Sequence, residues 1–259
     1  MRTYILNFIK YKDLFIELVI RDIKIKYRNS FLGILWSMIN PLLMMIVFSI
    51  VFMELFKNDI PNFPVYVLIG RILYQFFSEA TSFAMEAVYA NGQLINKLYV
   101  PKYFFPLTRV LSSFIISFLS LVPLLLVIMP LTGLSYDWIN LMIIFPLVYL
   151  LLISTGIGLL LSALNVFFSD IKHLYSVLLV ILMFLTPIFY PMEIIPEKYA
   201  IVLELNPLHI AIEMFRDVIM YGVLPNFDAH LSLIIYSLLF TVIGIIVFGK
   251  TQDRFIYKL

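Results

Sequence analysis

Residues 244–251, GIIVFGKT, fit the pattern G-x-x-x-x-G-K-[ST] at every position through Gly244, Gly249, Lys250 and Thr251. That pattern belongs to loops that wrap phosphates in nucleotide hydrolases. Such a loop needs a buried strand before it and a helix after it, so that backbone N–H groups converge on the anion. It also needs an acidic residue further along to help hold magnesium. Here residues 231–249 carry no charge, and only eight residues follow Thr251. The stretch is predicted to be the end of an apolar helix, with Lys250 as its basic anchor. A second candidate is the series Gln75, Glu79, Ser82 and Glu86. Steps of four, three and four place these side chains on one helix face. Two carboxylates seven residues apart suggest proton coupling, but no His or Lys relay stands beside them in the sequence. His173, His209 and His230 fall in separate loops or helix ends and make no ligand set. There is no cysteine, so disulfides and thiolate metal sites are excluded. No catalytic residue, metal ligand or bound cofactor is expected in this chain.

The elements that hold these residues follow from composition. Of 259 residues, 63% are hydrophobic and 13% charged, against about 45–50% and about 25% in soluble domains. The chain reads as an all-α integral membrane protein forming a single domain over 1–259. A spanning helix needs about 20 mostly apolar residues. Six transmembrane helices are predicted, near 34–56, 65–89, 104–131, 138–164, 173–190 and 231–249. The basic residues Arg2, Lys10, Lys12, Arg21, Lys24, Lys26, Arg28, Lys97, Lys102, Arg109, Lys172, Lys250, Arg254 and Lys258 would then share one side. Lys57, Lys198 and Arg216 fall on the other, with Arg71 just inside the second span. Cytoplasmic loops carry the excess of Lys and Arg, so both termini are expected in the cytoplasm.

Residues 10–30 are too charged to span. Asp13, Glu17, Arg21, Lys24 and Arg28 mark one face, and Leu14, Phe15, Leu18, Val19 and Ile23 much of the other. This predicts an amphipathic helix in the membrane interface, either an anchor or a lever that a soluble partner pushes. In the loop 91–103, Leu94, Ile95, Leu98 and Tyr99 give one apolar face of a short helix, a docking knob or a filler. Glu79 near mid-membrane costs at least about 2.5–3.5 kcal/mol unless it faces protein or water. It either bonds a neighbouring helix or lines a hydrophilic path. Phe48, Phe52 and Phe56 share a face of the first span, Trp36 lies near its end, and the fifth span closes in FLTPIFYP (184–191). These rings pack, face lipid, or form walls suited to the apolar faces of sugars. The segment 191–230 predicts external re-entrant helices, with Asn206 as N-cap, Pro207 at N1 and an end at Gly222.

RDIKIKYRNSFLGILWSMINPLLMMIVFSIVF (21–52) resembles the start of ABC-2 type permeases that export polysaccharides, through Arg21-Asp22, Tyr27, Ser30, Leu32-Gly33, Leu35-Trp36 and Pro41-Leu42. NGQLINKLYVPKYFFP (91–106), NVFFSDI (165–171), LTPIFYP (185–191) and LNPLHIAIEMFRDVIMYG (205–222) extend the resemblance along nearly the whole chain. The resemblance implies a homodimer above two copies of a separate ATPase subunit, which would hold ATP and Mg. It implies a lipid-linked glycan moving outward between the two permeases of a bacterial or archaeal cytoplasmic membrane, with no nucleic acid involved. On this view Leu32, Gly33, Trp36, Phe48, Phe52, Glu79 and Tyr190 line the substrate path. Arg21, Leu94, Ile95, Lys97 and Tyr99 would dock the ATPase. The alternatives are a drug or small-lipid exporter of the same superfamily, a proton-coupled carrier using Glu79 and Glu86, and a membrane glycosyltransferase.

Overall fold

The structure, a computed structural model, describes residues 9–53, 60–97, 100–196, 198 and 200–258, and these form helices and turns with no strand among them. Helix α1 (Lys12–Lys26) is followed by a reversal in which Asn29 and Gly33 adopt φ of 64° and 53°. The Gly33 N–H donates to Ser30 Oγ at 3.2 Å. An added Cβ at Gly33 would meet nothing within 4 Å, so what glycine supplies there is the left-handed backbone. Then come α2 (Trp36–Met53), α3 (Phe63–Ala90), the short α4 (Gly92–Lys97) and α5 (Phe104–Pro123). Helix α5 runs on through a π turn (Leu124–Ile128) to Leu131. They are followed by α6 (Ile144–Phe167), α7 (Ile171–Leu185), α8 (Ala200–Glu204), α9 (Pro207–Arg216) and α10 (Phe227–Thr251).

Four stretches are long and apolar enough to cross a membrane: Gly33–Phe52, Phe104–Leu131, Trp138–Phe167 and Phe227–Phe255. The other two predicted spans are built differently. Helix α3 has 28 residues, about 42 Å at the usual helical rise, but it carries the polar series. It tolerates that series because the rest of its surface is sealed: Val65, Val67, Leu68, Ile69, Leu73, Ala80, Ala84 and Val88 have no exposure. Helices α5 and α6 do most of the sealing. Helix α7 is apolar but only 15 residues long, and the chain leaves the helix at Thr186.

The phosphate-loop match is helix throughout. Gly244 packs against Gly156 where α10 crosses α6, so closely that a Cβ on either would overlap the backbone of the other helix. The helix continues through Gly249 and Lys250, and Thr251 Oγ1 donates back to the Val247 carbonyl at 2.7 Å. Gly244 is thus a packing residue and Lys250 an exposed helix-end cation.

Two ends of the bundle can be told apart by what gathers there. At one, Leu18 of α1, Val88 of α3, Ile95 of α4, Phe105 of α5 and Phe248 of α10 share a cluster with Phe255. At the other, α9 and the segment 186–190 sit against the first turns of α3.

Candidate functional site

At the α1 end the last two turns of α1 are tied to the bundle by charge. Asp22 is buried, with one carboxylate oxygen 2.9 Å from Arg21 Nη2 and the other 3.3 Å from Arg109 Nε on α5. One turn on, Lys26 Nζ donates to Glu79 Oε2 at 2.5 Å, and Gln75 Nε2 donates to Glu79 Oε1 at 3.0 Å. This corrects the sequence reading that no lysine stands near the carboxylates. Lys26 lies 53 residues away in the chain, and only the docking of α1 brings it there. Its ammonium also lies 5.5 Å from the Phe83 ring centroid. Glu86 is exposed further along the same face. Beside the pair, Gln75 and Glu79 face Pro41, Ser113, Ser117 and Ser120 across a cavity of about 10 Å³ between α2, α3 and α5. Ser120 donates to the Ser37 carbonyl at 2.7 Å, while the buried hydroxyls of Ser113 and Ser117 have no protein partner. Leu32 and Gly33 sit half-buried in the reversal, and Trp36 opens α2 with its ring exposed.

The short α4 turns its apolar face inward. Ile95 is buried against Leu18, Phe105 and Phe255, with Leu94 packed on the same cluster. Ile95 is therefore committed to its own chain, buried in a cluster that also holds Phe255 of the C-terminal turn. Among the described side chains of α4, Gln93 and Lys97 are exposed. Arg21 keeps 35% of its side chain open while pairing with Asp22. Tyr99 lies outside the described residues. Lys102 fastens the loop to the C-terminal turn by donating to the Gln252 carbonyl at 2.7 Å. Burial draws its pKa below the ordinary lysine value, with nearby Asp253 opposing.

At the α9 end Phe48 and Phe52 of the predicted aromatic row are closed over by a further ring, while Phe56 lies outside the described residues. The rings of Phe48 and Phe52 lie 4.3 Å and 5.7 Å from that of Phe189, which is buried. The Tyr190 hydroxyl donates to the Phe184 carbonyl. Tyr66 of α3 holds this segment: its hydroxyl donates to the carbonyls of Pro187 at 3.1 Å and Tyr190 at 3.0 Å. The fully buried Arg216 of α9 stacks 3.3 Å from the centroid of the same ring, donates to the Tyr66 carbonyl at 3.2 Å and to Glu213 at 2.6 Å. Gly70 makes room, since a Cβ there would lie 3.0 Å from Arg216 Nη2. The predicted start of α9 holds: Asn206 Oδ1 accepts from the Leu208 N–H at 3.0 Å, and its amide donates to Thr186 at 2.9 Å. Gly222 closes the element with φ 62°, after a π turn over Asp217–Tyr221.

The sequence reading thus missed Lys26, Asp22 and Arg109 as a set, and Tyr66 with Arg216. Arg216 left a signal, being one cation inside the apolar run HIAIEMFRDVIM, which demands a partner when buried. Tyr66 left none.

Comparison with known proteins agrees with this architecture. The chain is 31% identical over 248 residues to the O-antigen export system permease protein RfbA of Klebsiella pneumoniae, covering 94% of this chain and 93% of the relative. It is 30% identical over 252 residues to RfbA of Myxococcus xanthus, covering 95% of each. It is 26% identical over 239 residues to the polysialic acid transport protein KpsM of Escherichia coli, covering 91% and 92%. The ABC-2 type transporter family matches residues 13–220, which include α1, the polar strip, the aromatic cluster and α9. With its apolar spanning helices and this match over most of its length, the chain belongs to the ABC-2 type transporter family, as a multi-pass transport subunit rather than an enzyme.

Proposed function

We propose that the chain is the permease of an ATP-driven exporter that moves a lipid-linked polysaccharide across the cytoplasmic membrane. The observation that carries this is the near full-length likeness to permeases named for O-antigen export and polysialic acid transport. The whole of 1–259 acts as one membrane domain. Helices α2, α3, α5, α6, α7 and α10 are the six spans, with α7 completed by the packed segment 186–190. Both termini and α4 face the cytoplasm, and the segment 191–230 re-enters from outside. Two copies form the working unit above two ATP-binding subunits, which hold ATP and Mg. The glycan passes Leu32, Gly33, Trp36, Glu79, Phe48, Phe52 and Tyr190. The ATPase meets Arg21 and Lys97 directly, with Tyr99 beside them. Leu94 and Ile95 support that face from within. Glu79 is charge-compensated by Lys26, which favours this reading over a proton carrier.

Removing the chain from its host should abolish surface glycan while the lipid-linked intermediate accumulates inside. Restoring the chain should reverse both, as read by glycan staining of intact cells and of extracted lipid. Unchanged surface glycan would overturn the proposal. The absence of native cysteine makes the orientation directly readable. A cysteine at Asn226 should react with an impermeant thiol reagent in intact cells, and one at Asn91 should not.

A further inference from the structure

Among the described residues three charged clusters involve the membrane part of this chain, and they differ in how far they are sealed. In two of them one partner is sealed: Asp22 shows 1% of its side chain beside Arg21 at 35%, and Arg216 none beside Glu213 at 36%. Lys26 and Glu79 show 25% and 26%. A structural ion pair in a bilayer is driven toward full enclosure, because exposed charge in hydrocarbon is costly. The Lys26–Glu79 pair has instead been left open. What surrounds it is specific. Gln75 gives its amide to Glu79 Oε1 at 3.0 Å. The Phe83 ring, 38% exposed, lies under the Lys26 ammonium at 5.5 Å. Ser82 is partly open between them, one turn beyond Glu79.

We propose that Lys26, Gln75, Glu79 and Phe83 form a charge-neutral subsite for sugar hydroxyls, facing the transport path near its α1 end. This deepens the export reading above and rests on it. The chemistry suits a polyol. A carboxylate accepts hydrogen bonds from adjacent hydroxyls, an ammonium and an amide donate to them, and an exposed ring offers an apolar face to the C–H side of a pyranose. Charge-assisted bonds of this kind are the stronger ones. The neutrality matters equally. A lone carboxylate would repel an anionic polymer and a lone ammonium would hold one, whereas a conducting site must bind well enough to admit its cargo and weakly enough to release it. Lys26 is therefore a specificity residue as well as the tie between α1 and α3.

The test is a photo-crosslink in exporting cells with the complete complex. Phe83→p-benzoylphenylalanine, irradiated during export, should give a permease adduct that stains after periodate oxidation of vicinal diols. Ile246→p-benzoylphenylalanine, on the exposed apolar face of α10, should not. Phe52→p-benzoylphenylalanine serves as the path control. An adduct at Phe52 with none at Phe83 overturns this subsite and leaves the export reading standing; no adduct at any position overturns both. Charge variants supply the second readout. Lys26→Met and Glu79→Gln should each lower export about tenfold, since each strands a charge in a non-aqueous setting. The double variant Lys26→Met with Glu79→Gln should recover to within about threefold, because neutrality is restored without either charge. Full export by both single variants would overturn the role given to neutrality.

Discussion

The two ends of the bundle fasten their peripheral helices by opposite means. At the α1 end the ties are ionic and run between regular helices: Arg21 and Arg109 on Asp22, Lys26 on Glu79. At the α9 end the ties run from side chains to backbone: Tyr66 to the carbonyls of Pro187 and Tyr190, Asn206 to the start of α9, Arg216 to the Tyr66 carbonyl. The difference follows from what each end must satisfy. Helix α1 is intact and needs only to be held in place, which long charged side chains achieve. The segment 186–190 has left the helix, so its carbonyls have lost their partners, and irregular backbone at membrane depth survives only where protein supplies donors. The Tyr66 hydroxyl provides a donor to the Pro187 and Tyr190 carbonyls, and Arg216 in turn holds Tyr66, through its carbonyl and against the face of its ring.

The largest effect separating the two ends is expected at Asp22. Asp22→Ala leaves Arg109 without its carboxylate and should cost about 3 kcal/mol, with partial exposure of both arginines keeping the loss at the low end of the buried-pair range. Thermal unfolding of the purified complex followed by tryptophan fluorescence reads this directly. A shift no larger than that of an exposed-site control such as Lys250→Ala would show that charge does not fasten α1. At the other end Tyr66→Phe removes one hydroxyl and leaves the ring under Arg216, so about 1 kcal/mol is expected. Its signature is local: hydrogen exchange should quicken in 186–190 and leave α1 unchanged. Exchange that rises equally at both ends would break the division drawn here. The smallest effect concerns acid. His209 on α9 is buried with Nδ1 unpartnered. Burial holds its pKa below the ordinary value, with Glu213 opposing and Arg216 adding to the depression. A lowered histidine pKa means that the stabilising neutral form is complete above about pH 6.5 and is lost as pH falls through the folded-state value. Wild-type thermal stability should decline as pH falls below about 6.5, and His209→Gln should flatten that decline. An identical slope in the variant would assign the acid response to other groups.

Much was legible in the chain because a bilayer imposes local rules. A span must satisfy its backbone within itself and present apolar residues over a fixed length, so four spans could be read from hydropathy alone. Asn206-Pro207 and Gly222 marked the ends of the element that begins with α9 because capping and left-handed backbone are decided by neighbouring residues. The amphipathic face of α1 was legible for the same reason, and Phe15, Leu18 and Val19 are its buried side. Context also exposed the phosphate-loop match, since no uncharged helical run can wrap an anion.

Only the tertiary structure decided which residues meet. Lys26 finds Glu79 and Arg109 finds Asp22 across 53 and 87 positions, and no periodicity encodes a distance between helices. Ile95 could be read as a docking knob or a filler because the cluster that buries it draws on Phe255, from the far end of the sequence. Gly244 was read as part of an apolar helix, but its partner, Gly156 of α6, came only with the packing. Phe48 and Phe52 were recognisable as a row, but Phe189 closes on them only because Tyr66 holds the chain leaving α7 in place. Sequence determines which faces must be hidden and which ends capped, because those demands are met within a few residues. Packing alone determines what hides them.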